Sequence, residues 1–146
     1  MAAAIDDRGF FCAFRNAVQV ALESKFSDIV ALKPVQEEAL LAFLKRKDVL
    51  AVLPTSCGKS LIFQLVPAIC ANLHDQGFDY PKNAVLLVIC PLTALIDSHI
   101  QELADRGIAA CSLGDDSEDA SPCLQTGNPR TADNRAAMFC FFAFSP

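Results

Sequence analysis

The segment Pro54-Thr55-Ser56-Cys57-Gly58-Lys59-Ser60 holds the residue types that a phosphate cradle needs. Such a cradle turns backbone N–H groups inward around an anion and places a glycine where the backbone comes close. It also supplies a lysine for the β and γ oxygens and a hydroxyl for Mg²⁺. Gly58, Lys59 and Ser60 fill the last three roles. The full pattern G-x-x-x-x-G-K-[ST] is not met, since its first glycine would fall at Leu53, and Gly-Lys-Ser alone also suits an ordinary tight turn. Context favours nucleotide binding. The run VLAVL at 49–53 predicts a buried strand, and Leu61, Ile62, Leu65 and Ile69 predict a helix directly after the loop. The loop then sits at a helix N-terminus, whose partial positive charge attracts anions.

Lys33-Pro34-Val35-Gln36 lies upstream, with Gln36 23 residues before Lys59. Alone, a glutamine near a helix start is a solvated or capping side chain. Cys57, near a helix start, has the setting of a reactive thiol, although a small loop residue is the simpler reading. Lys45, Arg46 and Lys47 suit the negative end of a helix. His74 and His99 have no nucleophile or base beside them in sequence. Asp115-Asp116 is the one rival for a metal carboxylate, against a merely solvated acidic loop.

The elements that must position these residues alternate between helix and strand. Residues 11–24 place Phe14, Val18, Ala21 and Leu22 on one helical stripe. A second helix begins near Pro34, whose missing N–H is not needed in a first turn. After the third helix, residues 74–83 (HDQGFDYPKN) read as a loop, and 84–90 (AVLLVIC) as a strand buried on both faces. A fourth helix over 92–106 sets Leu95, His99 or Ile100, and Leu103 on one side, with Gly107 at its C-cap. Residues 108–113 (IAACSL) form a weaker strand, 114–135 a long acidic loop, and 136–146 (AAMFCFFAFSP) a buried terminal strand rather than a membrane-surface anchor. Strands and helices alternating at this spacing predict an α/β fold, a parallel sheet with flanking helices.

The chain has 146 residues, 53% hydrophobic and 20% charged, enough to bury a core and too apolar for global disorder. The net charge of −5 does not suggest a protein that coats nucleic acid by its overall field. Residues 1–114 carry 10 basic and 12 acidic groups, net −2, so a local nucleic-acid groove remains open there. Seven cysteines at 12, 57, 70, 90, 111, 123 and 140 show no paired spacing, which argues against both zinc and a disulfide scaffold. Neither a signal peptide nor a stretch of about 20 apolar residues is visible. A nuclear or cytoplasmic protein with reduced thiols and no membrane partner is expected.

Residues 32–68 (LKPVQEEALLAFLKRKDVLAVLPTSCGKSLIFQLVPA) resemble the start of the helicase core of RecQ-like ATP-dependent DNA helicases of superfamily 2. In that family a basic-x-x-Gln motif reads adenine and a Pro-Thr-x-x-Gly-Lys-Ser loop holds the phosphates. Residues 90–110 (CPLTALIDSHIQELADRGIAA) are similar to the next motif, a Pro-Leu-x-x-Leu helix start that contacts the DNA backbone. The resemblance implies Lys33 and Gln36 at the adenine, and Pro54, Thr55, Ser56, Cys57, Gly58, Lys59 and Ser60 around ATP, with Ser60 on Mg²⁺. It also implies Pro91, Leu92, Thr93 and Ala94 near single-stranded DNA. Such helicases often lack the first glycine of the cradle, but Ser56 and Cys57 stand where this family usually has glycines.

The implied organisation is an N-terminal helical extension at 1–29, a partial RecA-like P-loop domain at 30–114, and an acidic loop with an apolar strand at 115–146. No Asp-Glu dipeptide occurs, so the family's acidic box is expected to lie beyond Pro146. The implied function is the ATP-binding portion of a 3′ to 5′ DNA helicase that binds ATP and, weakly, DNA, with hydrolysis and unwinding left to the longer parent. Rival readings are a small P-loop kinase, which the scarcity of arginine after Lys59 disfavours, and an inactive product that acts only by binding a partner.

Overall fold

The computed structural model describes residues 7–90, 93–112 and 138–142. The expectations for the loop at 114–135, for Asp115 and Asp116, and for Pro91 and Leu92 fall outside the described residues. The chain divides into two compact units, Met1–Lys82 and Asn83–Pro146.

The first unit is built from three helices, α1 (Asp7–Lys25), α2 (Pro34–Leu44) and α3 (Lys59–Asp75). Each takes its shape from apolar residues recurring at three- and four-residue intervals. On α1 the stripe is Phe10, Phe14, Ala17, Val18, Ala21 and Leu22, all buried, and Phe26 continues it just past the helix. On α3, Leu61, Leu65, Ile69 and Leu73 repeat every fourth residue and are likewise buried. α3 packs against both α1 and α2. Full burial of a side chain such as Phe14 or Leu65 stabilises by roughly 1.5–3 kcal/mol, so this apolar layer holds the unit together.

α2, α3 and the later α4 (Thr93–Asp105) end with one hydrogen-bond pattern. Two residues beyond each helix the chain turns left-handed, at Arg46 (φ 59°), Gly77 (φ 89°) and Gly107 (φ 65°). The next N–H reaches back to a carbonyl near the helix end: Lys47 to Ala42, Phe78 to Leu73, and Ile108 to Leu103, at 3.1, 3.0 and 2.8 Å. This is the Schellman closure, which satisfies carbonyls that the helix leaves open. Two of the three use glycine, whereas α2 places an arginine there. Lys45, Arg46 and Lys47 therefore form the cap after α2 and not its last turn.

Residues 49–53 do not form the expected strand. They carry no regular structure and lie beside α2, where with Val35, Glu38, Ala39, Ala42 and Asp48 they line an open cleft of about 370 Å³. Leu50 and Val52 are 92% and 85% exposed. A strand exists only when its backbone N–H and C=O groups find a neighbouring ladder, and this unit has no strand among its described residues. The loop after α3 also starts later than expected, because the helix runs through His74 to Asp75.

The second unit contains β1 (Val85–Ile89), α4, β2 (Ala110–Ser112) and β3 (Met138–Phe142). β3 lies between the other two and pairs with each in parallel, Val85 opposite Met138 and Ala110 opposite Phe139. α4 packs on β2, and its buried side consists of Ile96 and Leu103, with Ile108 just beyond. Leu103 is buried as expected and His99 and Ile100 are half-buried, but at the start of the helix Ile96 and not Leu95 takes the buried side, and Leu95 is exposed. β1 is not covered on both faces. Val85, Leu87 and Ile89 are exposed while Leu86 and Val88 are partly buried, the alternation of a strand covered on one side.

Candidate nucleotide-binding site

The expected cradle sits within the first unit, directly before α3. Thr55–Cys57 form a single 3₁₀ turn, closed by a 3.1 Å bond from the Cys57 N–H to the Pro54 carbonyl. Gly58 then turns left-handed (φ 68°, ψ 47°), and α3 starts at Lys59. A right-handed residue followed by a left-handed one points successive N–H groups into one concavity, a backbone nest for anions. The positive end of the 17-residue α3 faces the same place. Lys59 is exposed, Ser60 and Cys57 are partly exposed, and Pro54 and Thr55 lie on the surface.

Gly58 meets two independent demands. Its positive φ is costly for any residue with a Cβ, and a Cβ there would lie 2.9 Å from Gln36 Nε2. The close approach shows where Gln36 has gone. Its side chain is 3% exposed, and its Oε1 accepts the Lys33 N–H at 2.9 Å. Its Nε2 donates to the carbonyls of Cys57 at 2.9 Å and Gly58 at 3.0 Å. Carbonyls only accept and the Lys33 N–H only donates, so this network fixes which end of the amide is which.

The register of α2 explains the burial, since Gln36, Leu40 and Leu44 recur at four-residue intervals and all three are buried. A buried amide is costly without partners, and this one has three. Gln36 caps the helix start as the sequence suggests, but it is not solvated. Lys33 is exposed at the N-cap of α2. The structure thus gathers Lys33, Gln36 and residues 54–60 in one unit, with Gln36 bonded to the back of the loop.

Two supports had no local signal in the sequence. Arg15 of α1 donates to Glu37 at 2.8 Å and lies 5.1 Å over the Phe11 ring. The hydrogen bond to Glu37 raises the guanidinium pKa further. Because Glu37 follows Gln36, this pair ties the first turn of α2 to α1. At the other end of α2, the Tyr80 hydroxyl donates to the Leu44 carbonyl at 2.6 Å. The His74 Nδ1–H donates to the Tyr80 carbonyl at 2.8 Å, and the Tyr80 ring stacks on Phe10 at 6.1 Å. Only the 22- and 36-residue separations of these pairs hide them from a local reading.

In the second unit, α4 begins at Thr93, and Ala94 is exposed in its first turn. His99 lies 3.7 Å from Glu102 on the same helix. Among the described residues no group of three His, Cys, Asp or Glu side chains is placed to hold a metal ion. None of the described helices is long and apolar enough to cross a membrane.

Comparison with known proteins agrees with this geometry. Residues 33–133 match the DEAD/DEAH box helicase family. The chain is 38% identical over 95 residues to the "ATP-dependent DNA helicase Q1" of Rattus norvegicus, covering 64% of this chain and 13% of that protein. It is 40% identical over 81 residues to the Mus musculus protein of the same name, covering 56% and 11%. It is 30% identical over 83 residues to the "Probable ATP-dependent DNA helicase RecS" of Bacillus subtilis, covering 57% and 14%. The matched stretch takes in both the cradle and the helix start at Thr93, and it spans about an eighth of the length of these relatives. On the strength of that match, the chain belongs to the DEAD/DEAH box helicase family and is RecQ-like within it.

Proposed function

We propose that this chain is the ATP-binding portion of a RecQ-like 3′ to 5′ DNA helicase, arranged as part of a RecA-like domain with a parallel sheet and flanking helices. The supporting observation is the nest formed by Cys57 and Gly58 at the start of α3, with the Lys59 ammonium exposed beside it. Backbone N–H groups from Thr55, Ser56, Gly58 and Lys59 surround the triphosphate, Cys57 shapes the turn through its N–H bond to the Pro54 carbonyl, and Lys59 binds the β and γ oxygens. Mg²⁺ neutralises phosphate charge when bound, and the Ser60 hydroxyl suits a metal that takes its other ligands from phosphate and water. Pro54 directs the chain into the turn.

Lys33 and Gln36 stand on the adenine side. With both Nε2 hydrogens spent on the loop, Gln36 still has a second lone pair on Oε1 for the exocyclic N–H of adenine. Guanine presents an oxygen at that position and would be repelled. Pro91, Leu92, Thr93 and Ala94 form the contact to single-stranded DNA. Hydrolysis and unwinding belong to the longer helicase. A small P-loop kinase is not favoured, because the matched family is one of helicases.

The test is a titration of a fluorescent ATP analogue, with Mg²⁺, into the wild type and Lys59→Ala. Loss of a desolvated hydrogen bond to charge is worth about 1.5–3 kcal/mol, so affinity should fall about 10- to 100-fold. Equal binding by the two proteins would refute the proposal. GTP should compete less well than ATP, and equal competition would remove Gln36 from the base.

A further inference from the structure

Gln36 bonds to the loop in a way that reading a base does not require. The Cys57 carbonyl belongs to the same peptide group as the Gly58 N–H, and the Gly58 carbonyl to the same group as the Lys59 N–H. All peptide bonds here are trans, and in a planar trans peptide the C=O and N–H vectors point opposite ways. When Gln36 Nε2 draws both carbonyls towards itself, at 2.9 and 3.0 Å, it turns both N–H groups away from α2. That direction is the mouth of the nest. The amide in turn is held by the Lys33 N–H and by its place in the buried stripe with Leu40 and Leu44.

We infer that Gln36 is a positioning residue for phosphate, fixing the Gly58 and Lys59 N–H groups on the nest side of the loop before any ligand arrives. The inference rests on the nucleotide-binding reading above and gives Gln36 a role that needs no base. Gly58 has the widest conformational freedom in the loop, because glycine enters left- and right-handed regions with similar ease. Without the bonds from Gln36, the Cys57–Gly58 peptide group would rotate and the Gly58–Lys59 group would keep only the 3.3 Å bond from the Leu61 N–H to the Gly58 carbonyl, and an anion would have to reorder them at the expense of its affinity. Gln36 also links phosphate and base. One amide braces the nest through its nitrogen while its oxygen faces the adenine side, so an occupied base site stiffens the phosphate site.

The discriminating ligand is inorganic tripolyphosphate with Mg²⁺, which has the phosphates and no base. Its binding to the full chain is measured by calorimetry for the wild type, Gln36→Met, Gln36→Asn and Lys59→Ala. Methionine keeps the volume and burial of the side chain but has no N–H to donate, while asparagine keeps the amide but is one methylene too short to reach the carbonyls. Thermal melting identifies the variants that retain the fold, and if methionine does not, asparagine carries the test.

The expected result is that tripolyphosphate and ATP both bind about five- to tenfold more weakly to the folded Gln36 variants. The Gly58 and Lys59 amide resonances should also shift in the ligand-free variants, a change that loss of a base contact alone would not produce. Unchanged tripolyphosphate affinity alongside weakened ATP binding would overturn the inference and leave Gln36 at the base only. ATP binding that does not respond to Lys59→Ala would instead overturn the nucleotide-binding reading itself, so the two failures are distinguishable.

Discussion

Replacing Gly58 with alanine makes two demands on the loop at once, and the other glycines allow them to be separated. Held at φ 68°, an alanine pays the left-handed penalty of roughly 1–2 kcal/mol. Its Cβ would also lie 2.9 Å from Gln36 Nε2, closer than carbon and nitrogen tolerate, so the amide must move. Gln36 sits in a buried slot and cannot move without losing its bonds to the Cys57 and Gly58 carbonyls, each worth about 0.5–1.5 kcal/mol. Gly58→Ala should therefore destabilise the protein by about 2–5 kcal/mol. Gly77 is also left-handed, at φ 89°, but a Cβ there meets nothing within 4 Å, so Gly77→Ala should cost only the backbone penalty of about 1–2 kcal/mol. Gly9 lies within α1 with open space around it, and Gly9→Ala should stabilise by about 0.5–1 kcal/mol. Urea denaturation of the three variants reads these values directly. If Gly58→Ala and Gly77→Ala have the same midpoint, the contact with Gln36 carries no energy and the reasoning about the loop fails.

Further outcomes follow from other parts of the structure. Arg46→Gly removes the left-handed strain at the end of α2 and sacrifices only an exposed 3.8 Å contact with Asp79, so urea stability should rise by about 0.5–1 kcal/mol; a fall would mean the arginine contributes something further. Tyr80→Phe leaves the Leu44 carbonyl without its 2.6 Å donor and should lower stability by about 0.5–1.5 kcal/mol, with no loss if water fully replaces the hydroxyl. Burial pushes the Cys70 thiol up to about 11 from an ordinary 9.0. Because the folded value is the higher, the associated stability is intact below about pH 9 and is lost as pH rises through about 11. Denaturation at pH 8 and pH 10 should show this fall, and Cys70→Val should reduce it. At pH 8 a thiol reagent should label exposed Cys12 and spare Cys70 until the protein unfolds.

The helices were legible because each writes its buried side into local spacing. Phe14, Val18, Ala21 and Leu22 could be read as a stripe from their intervals alone, and all four are buried. Pro34 marked the start of α2 and Gly107 the end of α4 for reasons of backbone chemistry that need no tertiary context. The run at 49–53 misled because a short apolar segment states a preference for the strand conformation and not the presence of a partner. At β1 the uniform apolar composition hid a strand covered on one side only. In α4 the stripe was right at Leu103 and wrong only at its start, where Ile96 is buried in place of Leu95. The residues of the cradle were legible as types, but Gln36's bonds to the carbonyls behind the loop were not. One signal was available for its burial: Gln36 stands four residues before Leu40 and eight before Leu44, in register with two core leucines.

The segment that marks this chain's kinship begins at residue 33, whereas the buried layer beneath α3 begins with Phe10 and Phe14 on α1. The family match and the folded core therefore draw different borders. A polypeptide cut to the matched stretch would keep every residue of the phosphate loop and uncover the apolar flank of the helix that carries it. It would also lose Arg15, and with it the tie to Glu37 beside Gln36. Excision by homology would yield a recognisable motif on an unsupported helix, prone to clump rather than bind. For this protein the smallest piece worth purifying is set by where the greasy surfaces close, and that border lies upstream of residue 33, where the match to the family begins.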